Sequence, residues 1–142
     1  MTPYPIIAPD IPSGDVYKFT TKFDVEYEVR FGRKKDNILH IIVVFGVLND
    51  EYEGEEYVVT NKGDVFRVMT TIAEIINLFL HEHPHTEIFE FNGILRENGM
   101  PDSISQRTLL YLRYLPKVFS PNEWKTQNLG NEIVVKRVKS KT

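Results

Sequence analysis

The feature that most constrains the fold is a stripe of apolar side chains between residues 64 and 81. Five of them recur at alternating spacings of four and three residues: Val65, Met69, Ile72, Ile76 and Phe79. This spacing places side chains on one face of an α-helix. The sequence therefore predicts one long amphipathic helix that packs on a sheet.

Both ends of this helix carry ordinary boundary signals. Asn61 is suited to cap the first turn, and Asp64 follows three residues later in a variant of the capping box. The same segment matches the N-K-x-D motif by which GTPases bind guanine. However, no glycine of the chain is followed by Lys and then Ser or Thr, as a phosphate-binding loop requires. Capping is the favoured interpretation, and Pro84 predicts the end of the helix.

The segments around the helix read as strands, because apolar and polar residues alternate or β-branched residues form short runs. We predict strands near residues 16–19, 25–31, 38–47, 57–60, 87–91 and 133–138, with the third strand central. Ser103 and Gln106 form a second capping box, which predicts a second helix ending before Pro116. Residues 117–130 are predicted to be irregular.

These elements predict an α+β fold. The expected architecture is a mainly antiparallel, twisted sheet of about five to six strands, in the order β-β-β-β-α-β-α-β, with two helices packed on it. A chain of 142 residues fits a single domain. Residues 1–14 are expected to form a proline-rich arm, and residues 139–142 a basic tail.

Composition limits the cellular setting and the chemistry. The chain contains no Cys, which excludes disulfides and cysteine nucleophiles. We find neither a signal peptide nor an apolar run long enough to span a membrane, so we expect a soluble protein without membrane partners, in the cytoplasm or in a virion. No G-x-S-x-G or S-x-x-K motif marks an activated hydroxyl. We therefore expect no catalytic residues and no cofactor.

Apolar residues in the arm and near the end of the chain are candidates for a protein interface. They are Tyr4, Ile6, Ile7, Phe119 and Trp124. Prolines keep the arm extended, and its apolar side chains favour packing against the domain itself or against another chain. The predicted partner is a second protein or another copy of this chain.

A histidine cluster at the end of the first helix supports an alternative function. His81, His83 and His85 alternate along the chain, and their imidazoles could hold a metal ion if the backbone is extended there. This pattern would indicate a metal-dependent enzyme. The same histidines can also be explained without a metal, because imidazolium groups interact favourably with the negative end of the helix dipole.

A second alternative is the binding of a small ligand or nucleotide. Arg107 and Tyr111 are spaced by four residues, so they share a helix face and could line an anion site or bridge helix and sheet. Basic residues at 33–35 and in the last seven positions could form a local basic patch. The net charge of −3 nevertheless argues against nucleic acid as a partner.

Part of the sequence resembles a family of small uncharacterised α+β proteins from bacteriophages and bacteria. The resemblance lies in the helix segment TNKGDVFRVMTTIAEIINLF, the HP that follows it, the strand IFEFNG and the helix RTLLYLRYL. The resemblance covers residues 17–115, and it implies a phage-like origin. We therefore favour a non-enzymatic interaction or structural component, such as a virion or accessory protein of a phage. The ligand-binding alternative would be an anti-defence protein.

Overall fold

The structure is a computed structural model, and it describes residues 2–10, 15–47, 65–92, 111–130 and 132–138. The strands are β1 (Val16–Thr20), β2 (Glu26–Lys34), β3 (Asn37–Val47), β4 (Ile88–Asn92), β5 (Trp124–Leu129) and β6 (Glu132–Arg137). Helix α1 spans Val65–Glu82, and the helical residues 111–114, termed α2, lead into a 3-10 turn at Leu115–Lys117.

The strands form one six-stranded sheet in the order β1-β2-β3-β4-β6-β5. Strand β1 pairs antiparallel with β2, β4 with β6, and β5 with β6, whereas β3 and β4 are parallel and α1 lies between them in the chain. The predicted α+β fold with a mainly antiparallel sheet is therefore confirmed. So is the internal position of β3.

Some local predictions need correction, and others lie outside the described residues. The predicted irregular segment 117–130 contains strand β5, and the predicted turn at residues 32–37 is shorter, because β2 continues to Lys34. The predicted strand at 57–60, the capping residues of both helices and the tail 139–142 are not among the described residues.

The chain divides into two compact units, Met1–Phe31 with Val44–Pro84, and Gly32–Val43 with His85–Thr142. In the first unit four residues of the predicted α1 stripe are buried: Met69, Ile72, Ile76 and Phe79 are each at most 3% exposed. The ring of Phe79 stacks on Phe31 of β2 with a centroid distance of 4.0 Å. This stacking is one contact by which α1 packs on the sheet.

The turn from β1 to β2 is held by one threonine side chain. The Thr21 hydroxyl accepts hydrogen bonds from the backbone amides of Phe23 and Val25, both at 3.2 Å. Asp24 adopts a left-handed backbone conformation with φ of 61°, which Asp tolerates better than most residues. A turn was predicted near Lys22, and this geometry confirms it.

The core of the second unit is an aromatic cluster on one face of strands β4, β5 and β6. Its rings belong to Phe89, Phe91, Tyr111, Phe119 and Trp124, all at most 4% exposed. Phe119 and Trp124 meet edge to face at 5.0 Å, and Phe119 also lies 5.2 Å from Phe89. Such contacts stabilise a core beyond the burial of apolar area alone.

Candidate functional site

In the second unit, one face of strands β3, β4, β6 and β5 points away from the aromatic core, and we call this face the outer face. Ile38 of β3 is 69% exposed there. Ile42, Ile88 and Val134 lie on the same face and are half-buried, whereas their chain neighbours on β4 and β6 point into the aromatic core. Apolar side chains that group on a sheet face and stay wholly or partly accessible can mark a binding surface.

The pairing of the strands sets these side chains in rows across the outer face. One row runs through His40, Ile88, Lys136 and Lys125, and each member is directly opposite the next. The neighbouring row runs through Ile42, Glu90, Val134 and Gln127. Paired residues of adjacent strands project on the same side of a sheet, so the outer face mixes branched apolar side chains with positive charges.

A small charge cluster lies within the outer face. The carboxylate of Glu90 is 3.6 Å from Nζ of Lys34 and 3.3 Å from Nε2 of His40. Its side chain is only 13% exposed, and the histidine is similarly covered. Because a carboxylate accepts hydrogen bonds, Nε2 must carry a hydrogen for the contact with Glu90 to be a hydrogen bond. The ammonium of Lys34 compensates the negative charge of Glu90, and the His40 ring offers it a hydrogen bond.

Of the residues predicted to form an interface, Tyr4 is buried. It is 4% exposed, the guanidinium carbon of Arg67 lies 3.8 Å from the centre of its ring, and its backbone amide donates to Oγ1 of Thr71 at 2.9 Å. Thr71 in turn donates to the Arg67 carbonyl. At Tyr4, the proline-rich arm therefore packs on α1 of its own chain.

The other arm residues are more accessible than Tyr4. Ile7 exchanges two backbone hydrogen bonds with Lys18 of β1, yet its side chain is 65% exposed. Ile6 is half-buried. Ile7 thus remains available to a partner, whereas the ring of Tyr4 is already used for packing.

Phe119 and Trp124 are also buried, at 2% and 4% exposure, and belong to the aromatic core of the second unit. The guanidinium carbon of Arg137 lies 4.3 Å from the centre of a Trp124 ring, and the same side chain donates twice to the Thr86 carbonyl. In this structure these two aromatic side chains contribute to the packing of the core.

The predicted ligand-binding pair is only half described. Arg107 lies outside the described residues, and Tyr111 is 1% exposed with its ring 5.2 Å from that of Phe91. The tyrosine ring therefore contributes to the core. A ligand role for the pair stays a prediction.

The three histidines have different surroundings. The ring of His83 stacks on Phe79 at 4.1 Å, and its Nδ1 lies 3.0 Å from the Phe79 carbonyl, so that nitrogen carries the hydrogen of this bond. His81 and His85 are exposed. Within the described ranges, no three His, Cys, Asp or Glu side chains group together so that they could hold a metal ion. The contacts of His83 fit the alternative explanation, a helix end stabilised by its histidines.

None of the helices in the described ranges is long and apolar enough to span a lipid bilayer. No family model matches the sequence, and no curated protein resembles it closely enough to count as a relative.

Proposed function

We propose that the chain is a non-enzymatic interaction protein that binds another polypeptide through the outer face of its second unit. The observation that supports this most is the 69% exposure of Ile38 beside the half-buried Ile42, Ile88 and Val134. Burial of such side chains against a partner releases water from apolar surface and favours association.

The arrangement on strands suits recognition. The four apolar side chains project from three paired strands, so their spacing is fixed by backbone hydrogen bonds. A surface that is rigid before binding loses less conformational entropy on association than a loop does. This supports the outer face over the arm as the main binding surface.

The resemblance to phage and bacterial proteins supports a biological setting for this role. A small phage protein with an exposed sheet face is suited to join a virion assembly or to bind a host protein. We propose a phage structural or accessory component, acting in the host cytoplasm or in the virion.

The test compares two isoleucines of nearly equal exposure. Ile38 and Ile7 are 69% and 65% exposed, and both lie where a lysine reaches solvent. Tagged wild-type chain, Ile38→Lys and Ile7→Lys are used to co-purify partners from phage-infected cells. Both substitutions should leave the free energy of unfolding within about 0.5 kcal/mol of wild type.

The expected result is a partner that co-purifies with wild type and Ile7→Lys at a constant ratio and is lost with Ile38→Lys. Retention of every stoichiometric partner by Ile38→Lys would contradict a binding role of the outer face. Equal loss with both variants would assign binding to the arm or to general surface charge instead.

A further inference from the structure

Two lysines on the outer face stand directly opposite each other. Lys125 of β5 pairs with Lys136 of β6 in the antiparallel register, and both side chains are exposed. We call them the lysine pair. Like charges that face each other across two strands repel and raise the free energy of the folded state, although salt reduces the effect.

The described part of the chain does not neutralise this pair. Glu28 pairs with Arg30, and Glu90 with Lys34, whereas neither ammonium of the lysine pair has a carboxylate partner among the described residues. A local arrangement that costs stability without compensation is typical of a functional surface.

The lysine pair continues the apolar row of the outer face. Lys136 lies directly opposite Ile88, and Val134, two residues before Lys136, projects from the same side of β6. A bound segment with carboxylates over the lysine pair and apolar side chains over Ile88 and Val134 would relieve the repulsion and bury the apolar surface together.

Composition of the outer face favours a polypeptide over a nucleic acid. Its paired rows on β3, β4, β6 and β5 contain isoleucine, valine, lysine, histidine, glutamate and glutamine. Strands that bind single-stranded nucleic acid usually offer aromatic rings for base stacking, whereas here the rings of β4 and β5 point into the core.

We propose that the partner of the outer face is an acidic polypeptide segment that also carries apolar side chains, with its carboxylates bound by the lysine pair. This inference rests on the proposed function, because it names the chemistry of the partner that binds the same face.

The test uses defined probes and single charge reversals. Fluorescently labelled random copolymer of glutamate and tyrosine, polyglutamate, and an oligo-dT strand of about 20 nucleotides are titrated with protein at low salt, about 50 mM NaCl. The variants are Lys125→Glu, Lys136→Glu and Ile38→Ser. Lys117→Glu is the matched control, since it makes the same charge change at an exposed lysine of the 3-10 turn.

We expect the glutamate–tyrosine copolymer to bind more tightly than polyglutamate, and both more tightly than oligo-dT. Each reversal in the lysine pair should weaken copolymer binding at least about threefold, and Lys117→Glu should change it little. Ile38→Ser should abolish the preference for the copolymer over polyglutamate.

Thermal unfolding gives a second measurement, in which the lysine reversals should increase stability although they decrease binding. Lys125→Glu or Lys136→Glu converts the repelling pair into an attracting one, so each should raise Tm by about 1–3 °C while it weakens binding. A variant that lost binding because it misfolded would instead show a lower Tm.

Three results would contradict the proposal of an acidic partner. They are that oligo-dT binds most tightly, that no probe binds, or that neither lysine reversal changes binding of the copolymer. The proposed function fails separately, when Ile38→Lys still retains every co-purifying polypeptide. If a partner is lost with the Ile38 variant but still binds both lysine reversals, the proposed function stands. Only the proposal that the partner is acidic is then refuted.

Discussion

The phenol of Tyr17 lies in surroundings that disfavour its ionised form. Burial raises its pKa above the ordinary value of 10.0, and the negative charges of Glu82 and Asp15 raise the pKa further. The ring also meets Phe31 edge to face at 5.6 Å, within the core of the first unit. The folded chain therefore keeps this proton at a pH at which the unfolded chain releases it.

Replacement of Tyr17 by Phe should reduce the loss of stability at alkaline pH. Because the folded-state pKa is the higher one, the stabilisation is complete below about pH 10 and is lost as pH rises from there through the folded-state pKa. We expect the free energy of unfolding of Tyr17→Phe to be within about 1 kcal/mol of wild type at pH 7 and to fall less steeply above pH 10. Urea unfolding measured by circular dichroism at a series of pH values tests this.

Tyr114→Phe is the matched control for this experiment, since it removes the hydroxyl of a tyrosine that is 5% exposed in the second unit. In Tyr114→Phe, the free energy of unfolding should still show the decrease above pH 10 that the ionisation of Tyr17 causes. Equal slopes for wild type and Tyr17→Phe above pH 10 would contradict the assignment.

Single residues also show why the candidate site was not predicted from the sequence. Tyr4, Phe119 and Trp124 were predicted to reach a partner, yet each is at most 4% exposed. Ile38 and Ile42, in contrast, were read only as part of an apolar strand. A run of apolar residues fixes neither which face of a strand is covered nor by what, and only tertiary packing decides it.

At the scale of elements, prediction succeeded where periodicity is long and strong. Helix α1 was expected at residues 64–81 and spans Val65–Glu82, because its stripe repeats over about four turns. Strand β5 was missed because Trp124 is followed by the four polar residues 125–128, which show no alternation of apolar and polar side chains. The parallel pairing of β3 with β4 also has no local signal, since it joins segments that are distant in the chain.

Arg137 connects β5, β6 and the segment before β4 within the second unit. Its guanidinium lies over Trp124, and its Nε and Nη2 donate to the carbonyl of Thr86 at 3.2 and 3.1 Å. Lysine keeps the charge but cannot present two N–H groups of a planar fork or stack in the same way. We expect Arg137→Lys to lower the free energy of unfolding by about 1–2 kcal/mol.

Trp124 is the only tryptophan of the sequence, so its emission reports this contact directly. Arg137→Lys should shift the emission spectrum and lower the urea midpoint. Arg30→Lys is the control, because that arginine forms an exposed ion pair with Glu28 and should change neither quantity. If Arg137→Lys has the same emission spectrum and the same urea midpoint as wild type, the stacked guanidinium has no stabilising role.

At the scale of the whole molecule, charge is distributed unevenly between the two units. The first unit contains 5 Lys and Arg against 13 Asp and Glu, a net charge of −8, and the second contains 12 against 7, a net charge of +5. The overall charge of −3 and pI near 5.8 conceal this difference. Association with charged surfaces depends on local fields as well as on total charge.

We therefore expect the acidic protein to be retained on a cation-exchange resin at pH 7 and low ionic strength. The basic second unit, with the exposed Lys125 and Lys136, supplies the positive surface that contacts the resin. The double variant Lys125→Glu/Lys136→Glu should elute at lower salt than wild type.

The matched double variant reverses two exposed lysines of the acidic unit, Lys18→Glu/Lys22→Glu, and so makes the same change in total charge. If retention followed total charge, both double variants would shift equally. A larger shift for the lysine pair assigns retention to the outer face, because the field of an exposed charge falls off within about 10 Å at moderate salt. If the wild-type protein does not bind the resin, the basic unit does not determine how the protein binds to an anionic surface.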